Sequence, residues 1–110
     1  MALPPKPVFG TFGAAVFPGA ELTFTADAMV RYDTSASVEE IAAYFRRVYE
    51  GKRFVIFNEK DDKNVGPCFV VAAGPGYTEA DFSAILVMND PEALRKKKRI
   101  VKRQILVTKK

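Results

Sequence analysis

The sequence predicts an α+β fold in which a single amphipathic helix packs on one face of an antiparallel sheet. One stretch, residues 37–50, has helical spacing and a helix cap, while the runs on either side are rich in alternating or β-branched apolar residues. Short polar connections join the last three of these runs, which favours an antiparallel meander. The predicted element order is therefore β-β-α-β-β-β.

Ahead of the helix the sequence predicts a weak strand and a hairpin. Residues 8–17 are apolar but contain two glycines, so we expect at most a weak edge strand there. Residues 21–25 alternate polar and apolar side chains, which predicts a half-buried strand with Leu22 and Phe24 pointing inward. Residues 29–32 alternate in the same way and are close enough to form the second strand of a hairpin.

The helix has the clearest signature. Ser37 and Glu40 are placed to form a capping box, in which each side chain accepts a hydrogen bond from the other residue's backbone N–H. Apolar residues then recur at spacings of three and four along one face, at Val38, Ile41, Phe45 and Val48. Gly51 suits the left-handed conformation that ends helices, so we predict a helix over residues 38–50.

After the helix the pattern changes to that of strands. Residues 53–57, 68–73 and 82–88 are dense in aromatic and β-branched side chains, which favour extended structure. Residues 58–64 are polar and predict a loop between the first two of these strands, and a Gly-Pro-Gly sequence at 74–76 predicts a turn before the third.

The C-terminal region supports two alternative structures. Asp90 as N-cap and Pro91 at the first helical position predict a short helix over residues 91–98. Residues 100–108 contain several β-branched side chains, which predict an extra strand instead. The alternatives differ in whether the end of the chain packs on the domain or projects from it.

We expect one domain, because 110 residues suffice for a single hydrophobic core and not for two. Residues 1–7 contain three prolines and predict an extended lead. Residues 8–94 form the predicted α+β domain. Residues 95–110 are a basic C-terminal segment, predicted to be either a strand or an arm.

Charge divides the chain unequally. Residues 95–110 contain nine of the 17 Lys and Arg residues and no acidic residue. The first 94 residues have eight basic and 13 acidic side chains, a net charge of −5. Such a dense basic run is typical of segments that bind nucleic acid or an anionic membrane surface. The aliphatic residues within it predict instead that it packs on its own sheet or on a partner.

These features predict a non-enzymatic interaction or assembly module that pairs with a protein partner or another copy through its C-terminal segment. The candidate interaction residues are the basic and strand-like side chains Arg95, Lys96, Lys97, Lys98, Arg99, Lys102, Arg103, Ile105 and Val107. One alternative is nucleic-acid binding through residues 95–103. A second is a peripheral envelope protein that binds a membrane surface.

Composition argues against several kinds of chemistry. The chain has no His and a single cysteine, Cys68, which excludes His-based catalysis, disulfides within the chain and Cys/His zinc sites. Asp61 and Asp62 lie between Lys60 and Lys63, a pattern typical of a hairpin loop rather than a cation site. No glycine-rich stretch has phosphate-binding spacing. We predict no enzyme activity, cofactor, metal or small-molecule ligand.

The apolar runs also bear on the expected compartment. None approaches the roughly 20 residues that cross a membrane, and the N-terminal residues lack the pattern of a signal peptide. The sequence therefore predicts a cytoplasmic protein. If the chain is instead the mature domain of a lipoprotein, we expect it in the cell envelope.

Three consecutive stretches resemble a small bacterial domain found in uncharacterised proteins and lipoproteins. They are Phe-Pro-Gly-Ala at 17–20, Tyr-Asp-Thr-Ser-Ala-Ser at 32–37 and the first part of the helix at 38–46. In that domain a three-stranded meander follows the helix, and a Gly-Trp pair often follows the helix directly, where this chain has Gly51 and Lys52. The resemblance covers residues 16–88 and implies the fold and a bacterial setting. It implies no catalytic residues.

Overall fold

A computed structural model describes residues 6–110, which form a six-stranded antiparallel sheet with a long and a short helix. The predicted class, α+β with an antiparallel sheet, is confirmed. The elements in chain order are a 3-10 turn (Thr11–Gly13), β1 (Glu21–Thr25), β2 (Met29–Thr34), α1 (Val38–Tyr49), β3 (Val55–Asp62), β4 (Gly66–Ala73), β5 (Phe82–Asn89), α2 (Pro91–Arg95) and β6 (Arg103–Lys109). The predicted lead at 1–7 lies largely outside the described residues.

The strand order across the sheet is β1-β2-β6-β5-β4-β3. The last strand of the chain therefore lies in the middle, paired with β2 on one side and β5 on the other. For the C-terminal region the structure has both a short helix, which Asp90 caps through the backbone N–H of Glu92, and a strand. The sheet thus includes residues beyond 94, and without β6 it would be split in two.

The predicted edge strand at residues 8–17 is also wrong. Phe12 and Gly13 both have left-handed backbone angles, φ 59° and φ 71°, and they make a tight turn. The chain folds back so that Phe9 faces Ala15 in a single bridge. Ala15 is buried and its N–H donates to the Tyr49 hydroxyl at 3.0 Å. This N-terminal segment is therefore attached to α1 and packs beside it.

Two strands differ from their predicted details. The predicted loop at residues 58–64 shrinks to a tight hairpin turn over residues 63–65, because β3 continues to Asp62. Asp62 Oδ1 accepts the N–H groups of Asn64 and Val65 in that turn. Leu22 and Phe24 do not both point inward. A bulge between them changes the register of the edge strand, and both side chains are about half exposed.

The core lies between one face of the sheet and a layer made of α1 and the N-terminal segment. The capping box of the helix is present as predicted: Ser37 Oγ accepts from Glu40 N at 3.1 Å, and Glu40 Oε1 accepts from Ser37 N. Ile41, Phe45 and Tyr49 on the inner side of α1 are fully buried. Their partners on the sheet are Val30, Phe69, Val71, Phe82, Ile85, Val87, Ile105 and Val107.

Candidate protein-interaction surface

Among residues 6–110, neither α1 nor the N-terminal segment covers the opposite face of the sheet, although two of its side chains, Gln104 and Cys68, are buried. Successive side chains of a strand point to opposite faces, so the residues that alternate with the core residues lie together on this side. We call it the open face, and its residues are Glu21, Phe24, Met29, Arg31, Asp33, Ile56, Asn58, Lys60, Cys68, Val70, Ala72, Ala84, Leu86, Met88, Gln104, Leu106 and Thr108.

The strand register arranges these side chains in three rows that cross the sheet. The first row runs from β1 to β3 through Glu21, Asp33, Gln104, Met88, Cys68 and Lys60. The second row, in the same direction, is Phe24, Arg31, Leu106, Leu86, Val70 and Asn58. The third is Met29, Thr108, Ala84, Ala72 and Ile56.

The centre of the open face is apolar. Leu106, Leu86 and Val70 are neighbours in the second row, and all three are partly exposed. With Met88 they line a shallow depression of about 560 Å³, one wall of which is the β3–β4 hairpin. Ile56, near one border, is 57% exposed. Exposed apolar residues on a protein surface are normally scattered singly. A contiguous apolar patch is instead characteristic of a binding surface.

Charged side chains border this apolar centre. On the β2 side Asp33 lies 3.4 Å from Arg31 Nε and 3.5 Å from Lys102 Nζ. Asp33 is only 13% exposed, and its Oδ1 is buried without a hydrogen bond from the described residues. On the β3 side the border residue of the same row is Lys60. An apolar centre with a polar rim is the usual anatomy of a protein interface.

The structure divides the predicted basic residues into two groups. Lys97, Lys98 and Arg99 are exposed and make no ion pair within residues 6–110. The others make contacts: Arg95 and Lys96 both pair with Glu92, at 3.9 and 2.7 Å, Lys102 pairs with Asp33, and Arg103 donates to Asn89 Oδ1 and to the Ser35 carbonyl. The Lys96 contact lowers the pKa of the Glu92 carboxyl, through a hydrogen bond and its charge.

Ile105 and Val107 are not available to a partner. They are 2% and 1% exposed, respectively, and face the core from the centre of the sheet. Both edges of β6 are already hydrogen-bonded, one to β2 and the other to β5. In the structure this aliphatic strand pairs with β2 and β5 of its own chain. The residue between them, Leu106, is the one that points to the open face.

The open face contains one nucleophilic side chain, Cys68. Burial raises the pKa of its thiol, and the nearby carboxylates of Asp62 and Asp61 raise it further, so the reactive thiolate is disfavoured. Among residues 6–110 no group of three or more side chains is arranged to hold a metal ion. In the same range no helix is long and apolar enough to cross a membrane.

Reasoning from sequence missed the open face, although a signal for it is present. Residues 69–73 and 84–88 are almost continuously apolar, and such runs indicate strands that are buried on both faces. The chain has one long helix, which covers only one face. Two strands that are apolar on both faces, with a helix to cover only one face, predict an uncovered apolar surface.

Comparisons with protein-family models, with curated proteins and with solved structures found no match to this chain. The resemblance to a bacterial envelope domain therefore stays a prediction, and the function is argued from the surface itself.

Proposed function

We propose that this protein is a non-enzymatic interaction module that binds a protein through the open face of its sheet. The observation that supports the proposal is the contiguous apolar centre formed by Leu106, Leu86 and Val70, with charged residues around it. This replaces the C-terminal strand as the binding element, because the inward side chains of β6 belong to the core.

The physical reason is incomplete burial. A sheet face of this composition gains free energy when water is removed from it, at roughly 25 cal/mol per Å² of apolar surface. The inner layer of the protein supplies that burial for one face only. A protein with its own apolar side chains and complementary rim charges supplies it for the other.

A photo-cross-linking residue placed on the open face tests the proposal. We expect p-benzoylphenylalanine at Val70 to form covalent protein adducts in the cells that produce this protein. The same residue at Ala43, which is exposed on the outer side of α1, is the control and should form none. Equal adduct yields from the two positions, or no adduct from position 70, would refute binding through the open face.

Nucleic-acid binding is a second candidate, favoured by the exposed cations of the α2–β6 connection. Lys97, Lys98 and Arg99 make no ion pair within residues 6–110, and Lys97 has a left-handed φ of 55° that turns the chain there. Exposed, unpaired cations bind phosphates with release of counterions, so affinity falls steeply with salt.

An electrophoretic mobility shift at low salt tests this candidate. Complexes with nucleic acid should disappear when Lys96, Lys97, Lys98 and Arg99 are all changed to Gln, and they should weaken between low and moderate salt. The absence of a shift at low salt would eliminate the candidate. A shift retained by the Gln variant would place binding elsewhere.

A further inference from the structure

We infer that the partner of the open face is a second copy of this chain, packed face to face about a two-fold axis parallel to the strands. The inference rests on the proposed function, since it names the occupant of the same surface. It is carried by the distribution of charged and apolar residues along the three rows.

The symmetry dictates which residues meet. An axis parallel to the strands, passing between the central strands β6 and β5, preserves each row and reverses the strand order. β6 of one copy then faces β5 of the other, β2 faces β4, and β1 faces β3. The strand directions of the two sheets stay aligned, which is a common geometry for sheets that pack face to face.

The first row is complementary to its own reverse. It begins with the exposed carboxylate of Glu21 and ends with the exposed ammonium of Lys60, while the nearly buried Asp33 already pairs with Arg31 and Lys102. When a second copy lies over the row in the reversed direction, Glu21 of each copy faces Lys60 of the other. The symmetry makes this contact twice. A like-charged end would instead oppose such a dimer, because like charges at an interface cost free energy.

The second row supplies the apolar contact. Leu106 on β6 and Leu86 on β5 are directly paired within one copy and lie on either side of the axis. In the dimer Leu106 of one copy packs on Leu86 of the other, so four leucines meet at the axis. In the third row Thr108 faces Ala84 of the second copy, where small side chains allow the sheets to approach.

The open face is also large enough. Six strands about 4.8 Å apart and three rows about 6.8 Å apart span roughly 29 by 20 Å. This geometric area, roughly 580 Å², is of the same order as the ~800 Å² that each partner buries in a stable protein interface. A short peptide would leave much of this face exposed.

Sedimentation equilibrium on the full chain tests the inference. We expect the wild type to be a dimer in a concentration-dependent equilibrium, and Leu106→Lys to weaken dimerisation by about a hundredfold or more, because it places two cations beside the axis. Ala43→Lys adds the same charge on the outer side of α1 and should leave the dimer intact. A monomeric wild type, or a dimer that survives Leu106→Lys, would overturn the inference.

Charge reversal then tests the register. Lys60→Glu should weaken the dimer by about tenfold, since it sets a new carboxylate against Glu21 of the second copy. The double variant Glu21→Lys with Lys60→Glu exchanges the two signs and should restore most of the affinity. Lys98→Glu changes the net charge equally in the exposed connection and is the control. If the double variant is as weak as Lys60→Glu, the proposed two-fold arrangement is wrong.

These results separate the inference from the proposed function. Cross-links from position 70 to a different protein, with a monomeric wild type, would support binding through the open face and overturn self-association. Homodimeric adducts from position 70 support both. A dimer with no adduct from position 70 would overturn both, because the copies would then meet through another surface.

Discussion

Ile105 and Leu106 are neighbours on the same central strand, yet they have different surroundings. Ile105 contacts a layer built from α1 and the N-terminal segment, and is 2% exposed. Leu106 lies on the open face among Leu86 and Val70 and remains partly exposed. The strand therefore has one face that the core buries, while on its other face folding leaves Leu106 partly in water. The sheet thus contains more apolar surface than one covering layer can bury.

Alanine substitution on the two faces should give the largest contrast in stability. We expect Ile105→Ala to lower the free energy of unfolding by about 3 kcal/mol, because it removes buried methyl groups and leaves a cavity. Leu106→Ala should cost about 1 kcal/mol, since its side chain is already partly in water. Urea unfolding at concentrations below those that favour dimers measures both. Equal losses would show that the two faces are buried to the same extent in the monomer.

The sequence predicted the elements that depend on local contacts better than those that depend on pairing between distant parts of the chain. The helix and its capping box depend on local contacts between Ser37 and Glu40, and both were predictable. The central position of β6 was not, because it depends on pairing with β2, about 70 residues earlier in the chain. The fold of the N-terminal segment was not predictable either, since its placement depends on distant partners, among them the hydroxyls of Tyr49 and Tyr44.

The interaction surface was harder to predict than the fold. Its rows combine residues from six strands, so no short motif marks it. Lys60 and Glu21 become opposite ends of one row only once the strand order is known. The basic segment was conspicuous in the sequence, yet Lys102 and Arg103 serve contacts within the domain.

Removing the Tyr49 hydroxyl should weaken the covering layer without affecting the open face. Tyr49→Phe leaves the buried N–H of Ala15 without its acceptor, at an expected cost of about 1–2 kcal/mol in unfolding free energy. Thermal or urea unfolding measures this loss, and the dimer constant should be unchanged. Unaltered stability would mean that another acceptor or water takes the place of the hydroxyl.

The same residue predicts an alkaline limit to stability. Burial raises the pKa of Tyr49 from 10.0 to about 12, so folding favours the neutral phenol. Its contribution is complete below pH 10 and is lost as the pH rises from 10 to 12. Urea midpoints across this range should fall less for Tyr49→Phe than for the wild type. Burial also raises the pKa values of Tyr44 and Tyr77, so the variant should keep part of the decline.

The helix cap should give the smallest effect. Ser37→Ala removes the hydroxyl that accepts from Glu40 N, and we expect a loss of about 1 kcal/mol in unfolding free energy. Ser35→Ala is a matched control, because Ser35 contributes its backbone carbonyl, not its hydroxyl, to the contact with Arg103. Since α1 covers the inner face only, neither variant should change dimerisation. A weaker dimer in Ser37→Ala would show that the covering layer and the open face are coupled through the sheet.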